Sequence, residues 1–258
     1  MKIIMIRHGD PDYEHDSLTE KGKREADLLV PRLAAMPVTD FYVSPLGRAK
    51  RTAQPTLERL GREAKVLNWL REFQTELDIN GSEALQAAYP DTERNPDGTY
   101  KTRIVWDMLP GAWLGDERNL ERNAWRDMTT ARVSDMAQVY ERTCVELDRL
   151  LASYGYRRKG GMYETDRGNE AVIVLFCHFG IMAAMLSHLW NVSPFILMHA
   201  LAMAPSSVTE VCSEERIKGQ VMFRTLRVGD ISHLQAAGEE PSFACRFCEV
   251  YENMDQRH

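Results

Sequence analysis

The first apolar run of the chain, Ile3-Ile4-Met5-Ile6, follows Lys2 directly and stops at Arg7-His8-Gly9. A short run of this kind predicts a buried strand, and the glycine after it permits a sharp exit. Leu18-Thr19-Glu20-Lys21-Gly22 reads as a helix start with Thr19 as N-cap. Ala26, Leu29, Val30 and Leu33 then recur at helical spacing, with Pro31 placed to kink or split the helix. Phe41-Tyr42-Val43 predicts a second strand. Ser44-Pro45 predicts an N-cap and first helical position, opening a helix to about Leu60. Lys65 to Asn68 predicts another short strand.

From Phe73 to about Ser134 the periodicity fades. The stretch holds prolines, glycines and Trp106, Trp113 and Trp125. It is too long for a simple loop and predicts an insertion with some helix of its own. Met136, Val139, Tyr140, Leu147, Leu150 and Leu151 then form a helical stripe, and Lys159-Gly160-Gly161 marks a turn. Ala171 to Cys177 predicts a strongly apolar strand that ends, like the first, in a histidine, His178. Ile181 to Trp190 predicts a helix. Ser207 to Cys212 and Val221 to Val228 predict later strands, and no element is predicted beyond Leu234. Alternating strands and helices predict an α/β sandwich with a mostly parallel sheet. The expected organisation is one domain over 1–258 with an insertion at about 73–134.

Composition narrows the setting. The chain has 258 residues, ample for a buried core, and a net charge of −6, which gives no argument for nucleic acid or an anionic membrane. Arg7 interrupts the first apolar run too early for a secretory signal, and no run of apolar residues is long enough to span a membrane. The five cysteines, Cys144, Cys177, Cys212, Cys245 and Cys248, are an odd and mostly scattered set. They read as reduced thiols of a cytoplasmic protein.

In an α/β sheet, ligands bind at the carboxyl ends of strands. An arginine and a histidine there suit a phosphate: the guanidinium holds two oxygens while the imidazole meets the phosphorus. Four segments carry this chemistry: Arg7-His8-Gly9, Ser44-Pro45-Leu46-Gly47-Arg48-Ala49, Leu70-Arg71-Glu72 and Cys177-His178-Phe179-Gly180. With Leu18-Thr19-Glu20-Lys21-Gly22 they resemble, in order and approximate spacing, the histidine phosphatase superfamily, also called the phosphoglycerate mutase-like family.

The resemblance covers most of 1–72 and 171–210. It implies a three-layer α/β sandwich with a mostly parallel mixed sheet and an inserted cap segment, and a reaction that needs no metal or other cofactor. It implies that His8 is the nucleophile that becomes phosphorylated and that Glu72 is the proton donor. Arg7, Arg48 and His178 would surround the phosphoryl group, with Phe179 beside them.

Physical chemistry accommodates these roles. Guanidiniums and a second imidazole can bind the oxygens of a phosphate dianion and stabilise charge during transfer. A neutral imidazole can attack in line, and an alkoxide leaving group needs a proton that a carboxylic acid can supply. The competing residues are Arg51, one turn after Arg48, and Glu76, Asp78 and Glu83, close to Glu72.

The chain departs from the family in Asp10-Pro11-Asp12-Tyr13-Glu14-His15-Asp16, an acidic segment where many members carry an asparagine or similar group. Tyr13 or His15 is either a reach into the site or simply loop. Cys245-Arg246-Phe247-Cys248 offers half a zinc site, with His233 or His258 nearby, but no second C-x-x-C completes it. His188 and His199 read as helix-surface or core residues, and the tryptophans as packing.

Three functions follow: a phosphomonoesterase, a mutase that returns the phosphoryl group, or a non-catalytic phospho-ligand binder. All core residue types are present, against the binder. Phosphoglycerate mutases typically carry a Glu-Arg-His-Tyr-Gly type segment where this chain reads Glu72-Phe73-Gln74-Thr75-Glu76, so hydrolysis leads. Residues 73–134 hold 7 Lys and Arg against 11 Asp and Glu, a balance of 7 − 11 = −4. This is not the basic lid that a polyphosphorylated substrate would call for, although Arg118, Arg122 and Arg126 could converge. The expected partner is a small-molecule phosphate monoester.

Overall fold

The computed structural model describes residues 1–242, 249–250 and 252–257. The chain forms two compact units. One comprises Met1–Glu72, Asp148–Met182 and Ala202–His258, the other Phe73–Leu147 and Ala183–Leu201.

The first unit holds a mixed sheet of eight strands flanked by helices. Its strands are β1 (Lys2–Arg7), β2 (Asp40–Val43), β3 (Ala64–Val66), β4 (Arg157–Lys159), β5 (Met162–Glu164), β6 (Val172–Cys177), β7 (Val208–Ile217) and β8 (Gln220–Asp230). Their order is β3-β2-β6-β1-β7-β8-β5-β4. The parallel character lies in one half: β3, β2, β6 and β1 run parallel, whereas β7, β8, β5 and β4 join antiparallel.

β1 and β6 are apolar without alternation because both faces are covered. On one face Ile4, Ile6, Phe41, Val174 and Phe176 pack with Leu29 and Leu33 of α1 (Glu20–Ala34) and Ala49 and Ala53 of α2 (Gly47–Leu60). On the other, Ile3, Met5, Tyr42, Ile173 and Leu175 are also buried. Thr19 caps α1, accepting from Gly22 N–H at 3.1 Å. The helix runs unbroken through Pro31, which stands within its last turn.

The start of α2 differs from the sequence expectation. Its N-cap is Leu46, with no side-chain capping bond, and Gly47 is its first residue. Ser44 stands two positions earlier, and its hydroxyl is engaged by a histidine.

In the second unit the tryptophans pack among aromatic neighbours. Trp125 is fully buried, edge-on to Tyr140 at 5.2 Å between ring centroids, and Trp113 stacks on His199 at 4.8 Å. Trp106 lies 6.4 Å from Phe73. The arginines that the sequence allows to converge are engaged separately or exposed. Arg118 pairs with Asp116, Arg126 pairs with Glu141, and Arg122 is exposed. Among the described residues no helix is long and apolar enough to cross a membrane.

Candidate active site

β1 and β6 lie side by side in parallel, with Arg7 opposite Cys177. The next residue of each strand is a histidine, so this register brings His8 and His178 together. Their ring centroids are 5.1 Å apart and both side chains are buried. His8 is also fixed through its backbone. Its N–H donates to the Cys177 carbonyl at 3.0 Å, and its carbonyl accepts from Ser206 N–H at 3.0 Å. The chain turns away at Gly9, where a Cβ would come within 2.7 Å of the Gly22 carbonyl oxygen. The glycine of the first motif is therefore required by close backbone approach.

The His8 ring is 2.8 Å from the Gly9 carbonyl through Nδ1. A carbonyl only accepts, so Nδ1 carries the proton and Nε2 of the neutral ring keeps its lone pair. The ring stays neutral because burial and then the Arg7 guanidinium push its pKa down to about 3. Arg48 acts in the same direction, against the Gly9 carbonyl.

Two guanidiniums accompany this imidazole. Arg7 is buried, donates through Nη1 to the Met203 carbonyl, and stands 5.7 Å from the ring centre of Phe179. Arg48 occupies the first turn of α2, and its charge depresses both histidines. Its Nη1 donates to Asp16 Oδ1 at 2.8 Å, while Gly47 N–H donates to Asp16 Oδ2 at 2.6 Å. Its Nε–H is buried with no acceptor among the described residues. Arg51, the competitor read from the sequence, is exposed and hydrogen-bonds Gln54 on its own helix.

His178 is fully buried. Its Nε2 lies 2.8 Å from Ser44 Oγ. Burial first, then His8, Arg48 and Arg7, hold its pKa well below the usual histidine range. The following residues open α3 (Phe179–Trp190). There Glu72 Oε1 accepts from the N–H groups of Gly180 at 2.9 Å and Ile181 at 3.3 Å.

The first unit therefore gathers Arg7, His8, Arg48, Glu72, His178 and Phe179 around the ends of β1 and β6. Glu76, Asp78 and Glu83 belong to the second unit and are exposed. His15 is exposed and pairs with Asp12, whereas Tyr13 reaches Arg48, with the guanidinium 5.5 Å from its ring centre. His233 bonds Ser206 Oγ at 3.0 Å. Cys245, Cys248 and His258 lie outside the described residues. Among the described residues no three His, Cys, Asp or Glu side chains group as ligands for a metal ion.

Sequence pattern does not reveal two residues of the site: Asp16 stands in an acidic loop, and Ser44 carries the signal of a helix cap. No local signal identifies either, because each acts through a partner distant in the chain.

Residues 3–103 match the family model described as histidine phosphatase superfamily, branch 1. A 2-carboxy-D-arabinitol-1-phosphatase of Triticum aestivum is 28% identical over 132 residues, 43% of this chain and 27% of that protein. The match thus spans about a quarter of that relative's length. A probable phosphoglycerate mutase of Salmonella paratyphi A is 26% identical over 168 residues, 60% of this chain and 70% of that protein. A solved mycobacterial glucosyl-3-phosphoglycerate phosphatase shares the fold with a TM-score of 0.54 and 22% identity, covering 88% of this chain and 97% of that one.

Proposed function

We propose that this chain, whose residues 3–103 match the histidine phosphatase superfamily model, is a phosphomonoesterase working through a phosphohistidine on His8. The observation that carries this reading is the His8 ring. It is neutral, its Nδ1–H is tied to the Gly9 carbonyl, and Nε2 is left as a nucleophile beside two guanidiniums.

In the first step Nε2 of His8 forms a bond to phosphorus as the phosphorus–oxygen bond to the leaving group breaks. Arg7, Arg48 and His178 hold the oxygens of the transferring group and stabilise their charge. Glu72 gives its proton to the departing alkoxide. In the second step water attacks phosphorus, Glu72 takes a proton from it, and the Nε2–phosphorus bond breaks to release inorganic phosphate. The positive charge comes from Arg7 and Arg48, with a neutral His178 as an added donor, so turnover requires no metal. The substrate is a small-molecule phosphate monoester, and the setting is the cytoplasm.

The test is turnover of p-nitrophenyl phosphate with EDTA present, followed by acid-labile, base-stable phosphoenzyme trapped by rapid quench. Label on His8, absent from His8→Ala, supports the reading; label on a serine or cysteine would sink it. The likeness to a probable phosphoglycerate mutase keeps phosphoryl return to a sugar acid as the second reading. Isomerisation of a phosphoglycerate without release of phosphate would favour it.

A further inference from the structure

Ser44 is fully buried and its backbone is fixed, with its N–H donating to the Phe176 carbonyl at 2.9 Å. That carbonyl lies two residues before His178, so serine and histidine ride on the same strand pair. The hydroxyl has two polar neighbours: Leu46 N–H at 3.3 Å and His178 Nε2 at 2.8 Å. An N–H only donates, so the hydroxyl oxygen accepts from Leu46. Among the described residues the single hydroxyl proton then has one acceptor in reach, His178 Nε2. With Nε2 accepting, the neutral ring must carry its proton on Nδ1. That nitrogen is buried and has no hydrogen-bond partner among the described residues.

We propose that Ser44 is a positioning residue that fixes His178 in the Nδ1–H tautomer, so that a neutral imidazole presents a donor to a phosphoryl oxygen. The proposal rests on the phosphatase reading for its ligand. Phosphoryl oxygens are acceptors, and a buried N–H without a partner is matched by one of them. The opposite tautomer fails twice: the Ser44 hydroxyl would lose its acceptor, and a lone pair at Nδ1 would face the oxygens of an anion. The two arginines around the site make this device necessary. A cationic imidazole would add a third positive charge in a buried place, so His178 has to donate while uncharged.

The test uses full-length protein with 15N-labelled histidine at pH 7 and long-range proton–nitrogen correlation, with His178 assigned by its absence from His178→Gln. The expected wild-type pattern is Nδ1–H, with the Nδ1 signal moving when orthovanadate is added. Ser44→Ala should give mixed tautomers and a kcat lowered by about 10–100-fold, the scale on which small misplacements act. KM should change much less. Ser44→Thr, which keeps the hydroxyl, should restore the wild-type tautomer and most of kcat.

An Nε2–H pattern in the wild type overturns the proposal, as does a Ser44→Ala protein with unchanged tautomer and kcat, or a His178 signal indifferent to orthovanadate. If Ser44→Ala does not fold, the wild-type tautomer and its response to orthovanadate decide. If the wild type hydrolyses no phosphomonoester, the phosphatase reading fails, while the tautomer and the orthovanadate response still judge Ser44.

Discussion

Asp16 binds Arg48 and the start of its helix together: one carboxylate oxygen accepts from the guanidinium at 2.8 Å, the other from Gly47 N–H at 2.6 Å. The backbone of Asp16 adopts φ +44°, and a Cβ at Gly47 would come within 2.0 Å of its carbonyl oxygen. The acidic loop is thus seated on α2 and aims Arg48. The Asp16 carboxyl is held below its usual range, since Gly47 N–H and Arg48 outweigh the opposing effect of burial.

Asp16→Ala is therefore expected to weaken inorganic phosphate binding by about tenfold, equivalent to about 1.4 kcal/mol. Stability should fall by less than about 1 kcal/mol, because the Asp16 side chain is 45% exposed and such pairs contribute little. Calorimetric titration with phosphate and thermal unfolding would check both. Unchanged phosphate affinity would remove Asp16 from the site.

His8→Ala is expected to abolish turnover, because no other nucleophile stands at that position. His178→Ala should retain a rate reduced by about 10²–10³-fold, the usual effect of losing one charge-stabilising donor. Steady-state kinetics on p-nitrophenyl phosphate separate the two. Equal residual rates in both variants would argue against the covalent route.

Glu25 of α1 is fully buried beneath the first motif, accepting from Asp10 N–H at 2.7 Å. Burial, aided by the Asp10 carboxylate, pushes its pKa up to about 7, against the pull of Asp10 N–H. Between its ordinary value of 4.5 and about 7 the folded protein binds more protons than the unfolded chain. Stability from this group is therefore complete below pH 4.5 and lost as pH rises through 7. His8 acts oppositely: below 6.5 the unfolded chain takes a proton that the folded protein refuses until about pH 3, so stability falls as pH drops through that window. Melting temperatures of Glu25→Gln and wild type between pH 4 and 8 should diverge in favour of the variant as pH rises. A constant difference across that range would show that Glu25 does not titrate there.

The legible parts of this molecule were those written in short stretches of chain. Two apolar runs that each end in a histidine were enough to expect His8 and His178 at strand ends, and the parallel register of β1 and β6 makes them neighbours. Thr19 was readable as a cap because capping is local. Ser44 was misread because serine before proline carries the same local signal whether it caps a helix or, as here, holds a histidine 134 positions away. Asp16 was hidden for a similar reason: its role depends on a left-handed backbone turn and on Gly47, neither visible as hydrophobic pattern. The antiparallel half of the sheet was under-read because β7 and β8 extend well past their apolar cores, with exposed residues such as Ile217 and Leu226.

Glu72 is the carboxylate whose role is most open to a direct test. It shares a unit with His8 and holds the start of α3, whereas Glu76, Asp78 and Glu83 do not. As general acid it matters only when the leaving group needs a proton. Glu72→Gln should then slow phosphoenzyme formation from alkyl phosphates by about 10²–10⁴-fold, the range of such catalysis. It should slow p-nitrophenyl phosphate far less in that step, because nitrophenolate departs without a proton. Rapid-quench measurement isolates phosphoenzyme formation from the later hydrolysis, where Glu72 is the base for both substrates. With alkyl phosphates, and phosphoenzyme formation limiting, wild-type activity should fall as pH rises through the pKa of the acid. An equal slowing of both substrate classes in the first step would mean that Glu72 acts through its bonds to Gly180 and Ile181 rather than through a proton. In that case Gln, which can still accept from those N–H groups, should lose less activity than Ala.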